Sequence, residues 1–334
     1  ESYFGIRRGV RAEIRPKLHV TDVRAVTKVF PRPKLAATVS FSDGTSKMYE
    51  KECPDVKLWT PDTPNLYTFT LKDLGCDFPD DFSIRVGFRE LDWSGRRFMM
   101  NGHPFIHRRL TTGPGAKNDD PEAVRRHIRL LKRRGIVGSR VFLPEDVELF
   151  AHIADEEGFL VATCAPVGSC AEHKTDEFWE RVLPDYMREQ IRQQGNHPSI
   201  ICWGLGNEFG APYAGKDATC PKQATVGAKV QTMDPTRPWC YYGEIEKGNP
   251  VRGPGPQPIR SVHYPCGAAG NGAWMPQASQ WAADHGASWH GICTGPIRGT
   301  ARYFYNGRVW YNDPDPVYVR NVVPLGRART FASF

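Results

Sequence analysis

The sequence predicts a β-sandwich followed by a (β/α)8 TIM barrel, and three observations lead there. Short strand-like stretches separated by Pro-, Gly- and Asp-rich turns fill the first part of the chain. From Phe98 the grammar switches to alternating strand and helix patterns, as in repeated βα units. The length beyond that switch is close to the roughly 250 residues of a typical barrel. A doubly wound sheet is the structural alternative, but no Gly-rich phosphate loop follows the first strand of the alternating part. The expected domains are residues 1–93 and 94–334.

In the first domain, residues 18–23, 34–41 and 66–71 read as strands. They are set apart by turn clusters such as Ser42-Asp43-Gly44 and Thr60-Pro61-Asp62-Thr63-Pro64. In the second, residues 98–105 predict a hairpin leading into the barrel. Residues 122–134 predict an amphipathic helix with Val124, Ile128 and Leu131 inward, ended by Gly135. A strand at 136–143, a helix at 147–157 stopped by Gly158, and a strand at 159–164 follow. Next come a helix at 178–194, a buried strand at 199–205, a helix at 222–233, and strands at 239–242 and 259–264. The Pro/Gly tract at 248–258 reads as a rim loop. After Tyr264 the periodicity weakens, and the last two barrel strands are not cleanly marked.

Composition narrows the function. The chain has 334 residues, 40% of them hydrophobic, which is enough for two cores. No apolar run approaches the roughly 18 residues of a membrane span, so no membrane partner is expected. The net charge of +7 arises from 44 basic and 37 acidic residues, so both signs are abundant. The densest basic cluster is Arg125, Arg126, His127, Arg129, Lys132, Arg133 and Arg134. It has helical spacing and no interleaved aromatics, which predicts a solvated helix face and no nucleic-acid partner. The nine cysteines form no CxxC pair and no Cys/His cluster at zinc-ligand spacing. No metal or cofactor is expected, and the framework does not depend on disulfides. Compartment and oligomeric state are not specified; a homo-oligomer is compatible with the sequence.

Ser199-Ile200-Ile201-Cys202-Trp203-Gly204-Leu205 is an apolar run bounded by Pro198 and Gly206. It reads as a fully buried parallel strand, and it ends in Asn207-Glu208. A carboxylate at the C-terminal mouth of a barrel strand is where this architecture puts catalytic groups. A loop acid paired with an arginine is the ordinary alternative.

The stretch NHPSIICWGLGNE, residues 196–208, resembles the acid/base signature of the family-2 glycoside hydrolases, the group of β-galactosidases, β-glucuronidases and β-mannosidases. Three motifs in the first domain are similar to that family's immunoglobulin-like domain: GIRRGV at 5–10, KLWTPDTPNLY at 57–67 and VGFRE at 86–90. The resemblance implies an immunoglobulin-like β-sandwich before the barrel and a retaining, exo-acting β-glycosidase, β-galactosidase-like in type. It assigns general acid/base work to Glu208, contact with the sugar 2-hydroxyl to Asn207, and an oligosaccharide or glycoside as the partner. The family's usual N-terminal jelly roll has no counterpart here. A longer parent protein, with an N-terminus truncated or processed at Glu1, is therefore expected.

Retention needs a second carboxylate. The family places it as a Glu in a motif like SEYGA after the seventh strand. The nearest match is Ala283-Asp284-His285-Gly286-Ala287, which nominates Asp284 as nucleophile. Asp is one methylene shorter than Glu, so Glu244, just after the 239–242 strand, is the reserve. Asp313 and Asp315 come next, in a Trp310-Tyr311-Asn312-Asp313-Pro314-Asp315 segment that resembles an element of α-galactosidase-like barrels. Arg140 matches the family's second-strand arginine, with a structural ion pair as the alternative. Tyr264 resembles the tyrosine that contacts the nucleophile, and His263 beside it reads as a packed strand residue. Trp289 and Trp310 are candidate sugar platforms or ordinary core. Three departures stand out: Ala162-Thr163-Cys164-Ala165-Pro166 lacks acidic or His residues, Leu143-Pro144-Glu145-Asp146 replaces His-Tyr-Pro, and His107-Arg108-Arg109-Leu110 replaces LRG. They keep open a catalytically weakened or inactive carbohydrate-binding relative of the same fold.

Overall fold

Strict alternation along residues 34–41 sets the first sheet. In the computed structural model, β1 (Val20–Lys28) and β2 (Lys34–Phe41) pair antiparallel, and β3 (Ser46–Glu52) adds to the free side of β2. Leu35, Ala37, Val39 and Phe41 of β2 are buried, as period-two alternation requires. The structure describes residues 12–72, 74–75, 81–94, 98–104, 109–110, 120–133, 137–141, 144–167, 175–207, 219–242, 262–263 and 293–294. Two sandwich strands escape the sequence reading. SKMYEKE in β3 is an exposed, charged edge strand with no apolar alternation to betray it. β5 (Phe82–Val86) buries only Ile84 and Val86, and it pairs antiparallel with β4 (Tyr67–Leu71). The strand expected at 18–23 runs instead to Lys28, because pairing with β2 carries it past the polar residues. Phe88 is fully buried between the edges of Tyr67 and Phe69, with ring centroids 5.8 and 6.2 Å away.

β6 (Leu91–Asp92), β7 (Met99–Met100) and β8 (His103–Pro104) form a small antiparallel sheet. Asn101 and Gly102 turn β7 into β8 with φ of 54° and 77°, as a two-residue hairpin turn of primed type demands. The hairpin expected at 98–105 is present.

The barrel strands are β9 (Arg109–Leu110), β10 (Gly138–Val141), β11 (Leu160–Thr163), β12 (Ile200–Asn207) and β13 (Trp239–Tyr242). They lie side by side in that order, all parallel. Among these five described strands the order does not reverse, as it would at the switch point of a doubly wound sheet. Between them run α1 (Pro121–Arg133), α2 (Pro144–Glu157), α3 (Leu183–Gln194) and α4 (Thr219–Met233). One π-helical turn at Phe178–Val182 leads into α3, where the sequence predicts a single unbroken helix. β14 (Val262–His263) and β15 (Cys293–Thr294) form a further parallel pair.

β11, β12 and β13 divide their side chains between two cores. Val141, Val161, Ile200, Trp203 and Leu205 pack with helix residues such as Ile128, Phe150 and Met187. Leu160, Ala162, Cys164, Ile201, Cys202 and Cys240 face the interior, where they meet Trp59, Phe98 and Met100. No disulfide links Cys53, Cys164, Cys202 and Cys240; all four are buried thiols.

The basic cluster on α1 is only partly solvated. Arg125 lies 2.7 Å from Glu156 and 2.8 Å from Glu157, and Arg129 2.8 Å from Glu157. The adjacent helix thus neutralises much of the positive face. Among the described residues, no helix is long and apolar enough to cross a membrane.

Candidate active site

Everything about the site depends on how β12 is held. At its N-terminal end the sandwich grips it with directed hydrogen bonds. The Asn196 side chain donates to the Val23 carbonyl (2.6 Å) and accepts from the Ala25 amide (2.8 Å). Arg89 of the sandwich donates through Nε to the Pro198 carbonyl (2.6 Å) and through Nη2 to that of Ile200. Arg237, from the barrel side, donates to the same Ile200 carbonyl (2.7 Å) and to that of His197 (2.7 Å). Two guanidinium groups from opposite domains therefore share one backbone oxygen.

Beside this clamp, Asp155 of α2 accepts from the Ser199 amide (3.0 Å) and bonds His197 Nδ1 (2.6 Å). Arg85 of the sandwich lies 3.5 Å from the same carboxylate. The Trp59 indole donates to the Asp155 carbonyl (2.9 Å), so the fully buried Trp59 joins the interior barrel core to the junction. Close approach is written into two glycines. A Cβ on Gly87 would lie 2.8 Å from Pro198 and Trp59 atoms, and one on Gly158 only 2.2 Å from the Pro61 carbonyl oxygen. Gly158 also ends α2 with φ of 64°, a conformation that disfavours a side chain.

Asp234 anchors the middle of the strand. It accepts from Trp203 Nε1 (2.8 Å) and forms ion pairs with Arg237 (2.8 Å) and Arg24 (3.0 Å). Burial pushes this carboxyl upward, but Arg237 and Arg24 outweigh it and hold the group well below the usual carboxylate range.

At the C-terminal end the register changes. Gly204 pairs with Cys240 and Asn207 with Tyr242, so β12 spends one extra residue there. A bulge of this kind bends a strand and re-aims the residues after it, and such bulges concentrate beside active sites. The next residue in the chain is Glu208. Arg140 sits on β10 opposite Ala162 of the interior core, and it is 2% exposed. Among the described residues, no group of three or more His, Cys, Asp or Glu side chains is placed to hold a metal ion.

Of the residues nominated from sequence, Arg140 is described in full, and Asn207 is the last residue of β12. His263 closes β14. Glu208, Glu244, Tyr264, Asp284, Trp289, Trp310, Asp313 and Asp315 lie outside the described residues. Glu208 comes directly after β12, and Glu244 two residues after the end of the neighbouring β13. β15, the strand beside β14, begins at Cys293, so Asp284 precedes that strand in sequence. Sequence reasoning misses the junction. It takes Asn196, His197, Pro198 and Ser199 as part of a chemical signature, yet Asn196 and Pro198 bond the sandwich directly, and His197 and Ser199 hold Asp155 of α2 beside it. The available signal is the occurrence of Gly87, Arg89 and Trp59 in motifs of their own.

Comparison with known proteins agrees with this architecture. The family description "Glycosyl hydrolases family 2, TIM barrel domain" matches residues 93–252, and "Glycosyl hydrolases family 2" matches residues 6–89. The chain belongs to glycoside hydrolase family 2. "Beta-galactosidase 2" of Enterobacter cloacae is 28% identical over 247 residues, covering 66% of this chain and 23% of that protein. A "Putative beta-glucuronidase" of Formosa agariphila is 29% identical over 210 residues, 59% of this chain and 24% of that protein. The chain thus spans about a quarter of the length of these curated relatives. Among solved structures, a β-glucuronidase from Ruminococcus gnavus superposes with a TM-score of 0.67 at 19% identity, covering 84% of this chain and 53% of that one. At that identity the likeness speaks for the fold. Asn207, Glu208, Arg140 and Glu244 fall inside the matched range of the family-2 barrel, whereas Tyr264, Asp284, Trp289 and Trp310 fall beyond it.

Proposed function

We propose that this chain is the catalytic part of a retaining exo-β-glycosidase, β-galactosidase-like, acting on the terminal β-linked sugar of an oligosaccharide or glycoside. One observation carries the reading: a family-2 barrel match runs through a parallel strand that ends, after a bulge, at Asn207, with Glu208 next in the sequence. In this scheme Glu208 protonates the glycosidic oxygen while a second carboxylate attacks the anomeric carbon. Glu208, now ionised, then takes a proton from the water that releases the covalent glycosyl intermediate. Asn207 holds the sugar 2-hydroxyl, and Arg140 steadies the interior beneath the substrate. Tyr264, Trp289 and Trp310 are proposed sugar or nucleophile contacts. The proposed domains remain 1–93 and 94–334.

Asp284 is the proposed nucleophile. Glu244 is tested in parallel because it shares with Glu208 a position just past the end of a barrel strand. The carboxyls of a retaining pair stand roughly 5–5.5 Å apart, and neighbouring strand ends suit that separation. Hydrolysis of aryl β-galactosides and aryl β-glucuronides by the wild type, Glu208→Ala, Asp284→Ala and Glu244→Ala, with azide added, decides among these roles. Loss of turnover in Glu208→Ala, with azide restoring a glycosyl azide of retained configuration, supports the acid/base role. Undiminished turnover in that variant refutes it.

A second reading is a carbohydrate-binding relative that has lost turnover. It is favoured by the position of Asp284 beyond the family match. Saturable monosaccharide binding by a wild type that hydrolyses neither glycoside would establish it.

A further inference from the structure

A cavity of about 170 Å³ lies at the junction of sandwich and barrel, lined in part by Thr27, Lys28, Arg89, Asn196, Thr236 and Arg237. It is at the opposite end of β12 from Asn207 and Glu208, so it is separate from the proposed sugar site.

Three guanidinium groups, from Arg24, Arg89 and Arg237, surround one carboxylate. Asp234 is paired to Arg24 and Arg237. Arg89 is 6% exposed, and among the described residues no carboxylate lies within ion-pair distance of it. Its Nε and Nη2 reach backbone carbonyls, and Nη1 donates to none of the described groups. Arg24 Nη1 is likewise buried without a hydrogen-bond partner. The other nearby carboxylates are engaged elsewhere. Glu90, which also lines the cavity, accepts from the Val29 (3.0 Å) and Phe30 (3.3 Å) amides. Asp155 is held by His197 and Arg85. Arg89 is thus a buried guanidinium with no ion-pair partner among the described residues, and a buried charge left unpaired is destabilising. Burial, reinforced by Arg237, draws the Arg89 guanidinium well below its ordinary value.

We propose that this interdomain cavity is a binding site for a small oxyanion of phosphate or sulfate size, held by Arg89 and bordered by Lys28, Asn196 and Thr236. Charge-assisted hydrogen bonds from a planar guanidinium to oxyanion oxygens are strong and directional. An anion seated there touches both domains and stabilises their junction. The inference does not depend on the glycosidase reading, because it concerns the other end of the strand.

The test is titration calorimetry and thermal unfolding of the chain with inorganic phosphate and with sulfate, ionic strength being held constant with sodium chloride. Saturable binding is expected, with Tm raised by about 2–3 °C at ten times Kd. Arg89→Met should abolish the saturable component. Lys28→Gln, at an exposed rim position, should weaken it several-fold without altering the fold. A selenate soak should give an anomalous peak within hydrogen-bonding reach of Arg89. A Tm that follows ionic strength alone, affinity unchanged in Lys28→Gln, or selenate found only elsewhere would overturn the proposal, even if Arg89→Met fails to fold.

Discussion

The two ends of β12 are built on opposite principles. Its beginning is over-determined: the Ile200 carbonyl takes two guanidinium donors, the Ser199 amide and His197 ring share one carboxylate, and Asn196 pairs with β1 through both its amide oxygen and its amide nitrogen. Its end is loosened by an extra residue against β13 and leads into a polar pair. Parallel barrels keep stability at the N-terminal face and chemistry at the C-terminal face. Here one eight-residue strand spans both. A rigid start allows the far end to hold a reacting group, since small misplacements of such a group are costly.

Variants at the two ends should therefore fail in different ways. Glu208→Gln tests the mouth: we expect aryl-glycoside turnover to fall about 10²–10⁴-fold, with Tm unchanged. A matching fall in Tm would mean that the two ends are not separable. Asp234→Ala tests the junction, since it leaves Arg24 and Arg237 buried without their carboxylate; about 3–5 kcal/mol of stability should be lost in a denaturant titration. The fraction that stays folded should keep its turnover.

Gly158→Ala adds a Cβ at positive φ against the Pro61 oxygen, and should cost about 1–3 kcal/mol by the same measurement. Acid should act in the same place. The Asp234 carboxyl is depressed when folded, so its stabilisation is complete above the ordinary value of 3.8 and is lost as pH falls below it. The denaturant midpoint of the wild type should fall as pH drops below about 4, and Asp234→Asn should weaken this dependence. The smallest effect belongs to Arg129→Ala on the α1 surface. Loss of its bridge to Glu157 should shift stability by less than about 1 kcal/mol.

Much of the barrel is legible because its strands are short apolar runs separated by amphipathic helices. Residues 239–242 agree to the residue, and α2, α3 and α4 end where expected. The sandwich edges are less legible. β3 is nearly all exposed and polar, so only its ladder with β2 reveals it. The π-helical turn before α3 leaves no mark in side-chain periodicity. At the site, the Asn207-Glu208 pair announces itself by placing polar residues after a buried run. The same approach takes His197 and Ser199 for neighbours of the chemistry. Their partner, Asp155, lies more than forty residues earlier, and no local pattern links them.

By itself the sequence determined the family, the order of sandwich and barrel, and the buried run that ends at Asn207 with Glu208 next in the chain. These rest on local features: apolar periodicity, turn residues and contiguous motifs. The tertiary structure alone decided that the motifs at 57–67, 86–90 and 196–199 converge on one junction, and that two arginines there share a single aspartate while a third holds the strand's backbone. Hydrogen bonds and ion pairs between residues distant in sequence depend on chain closure, which no window of neighbouring residues encodes.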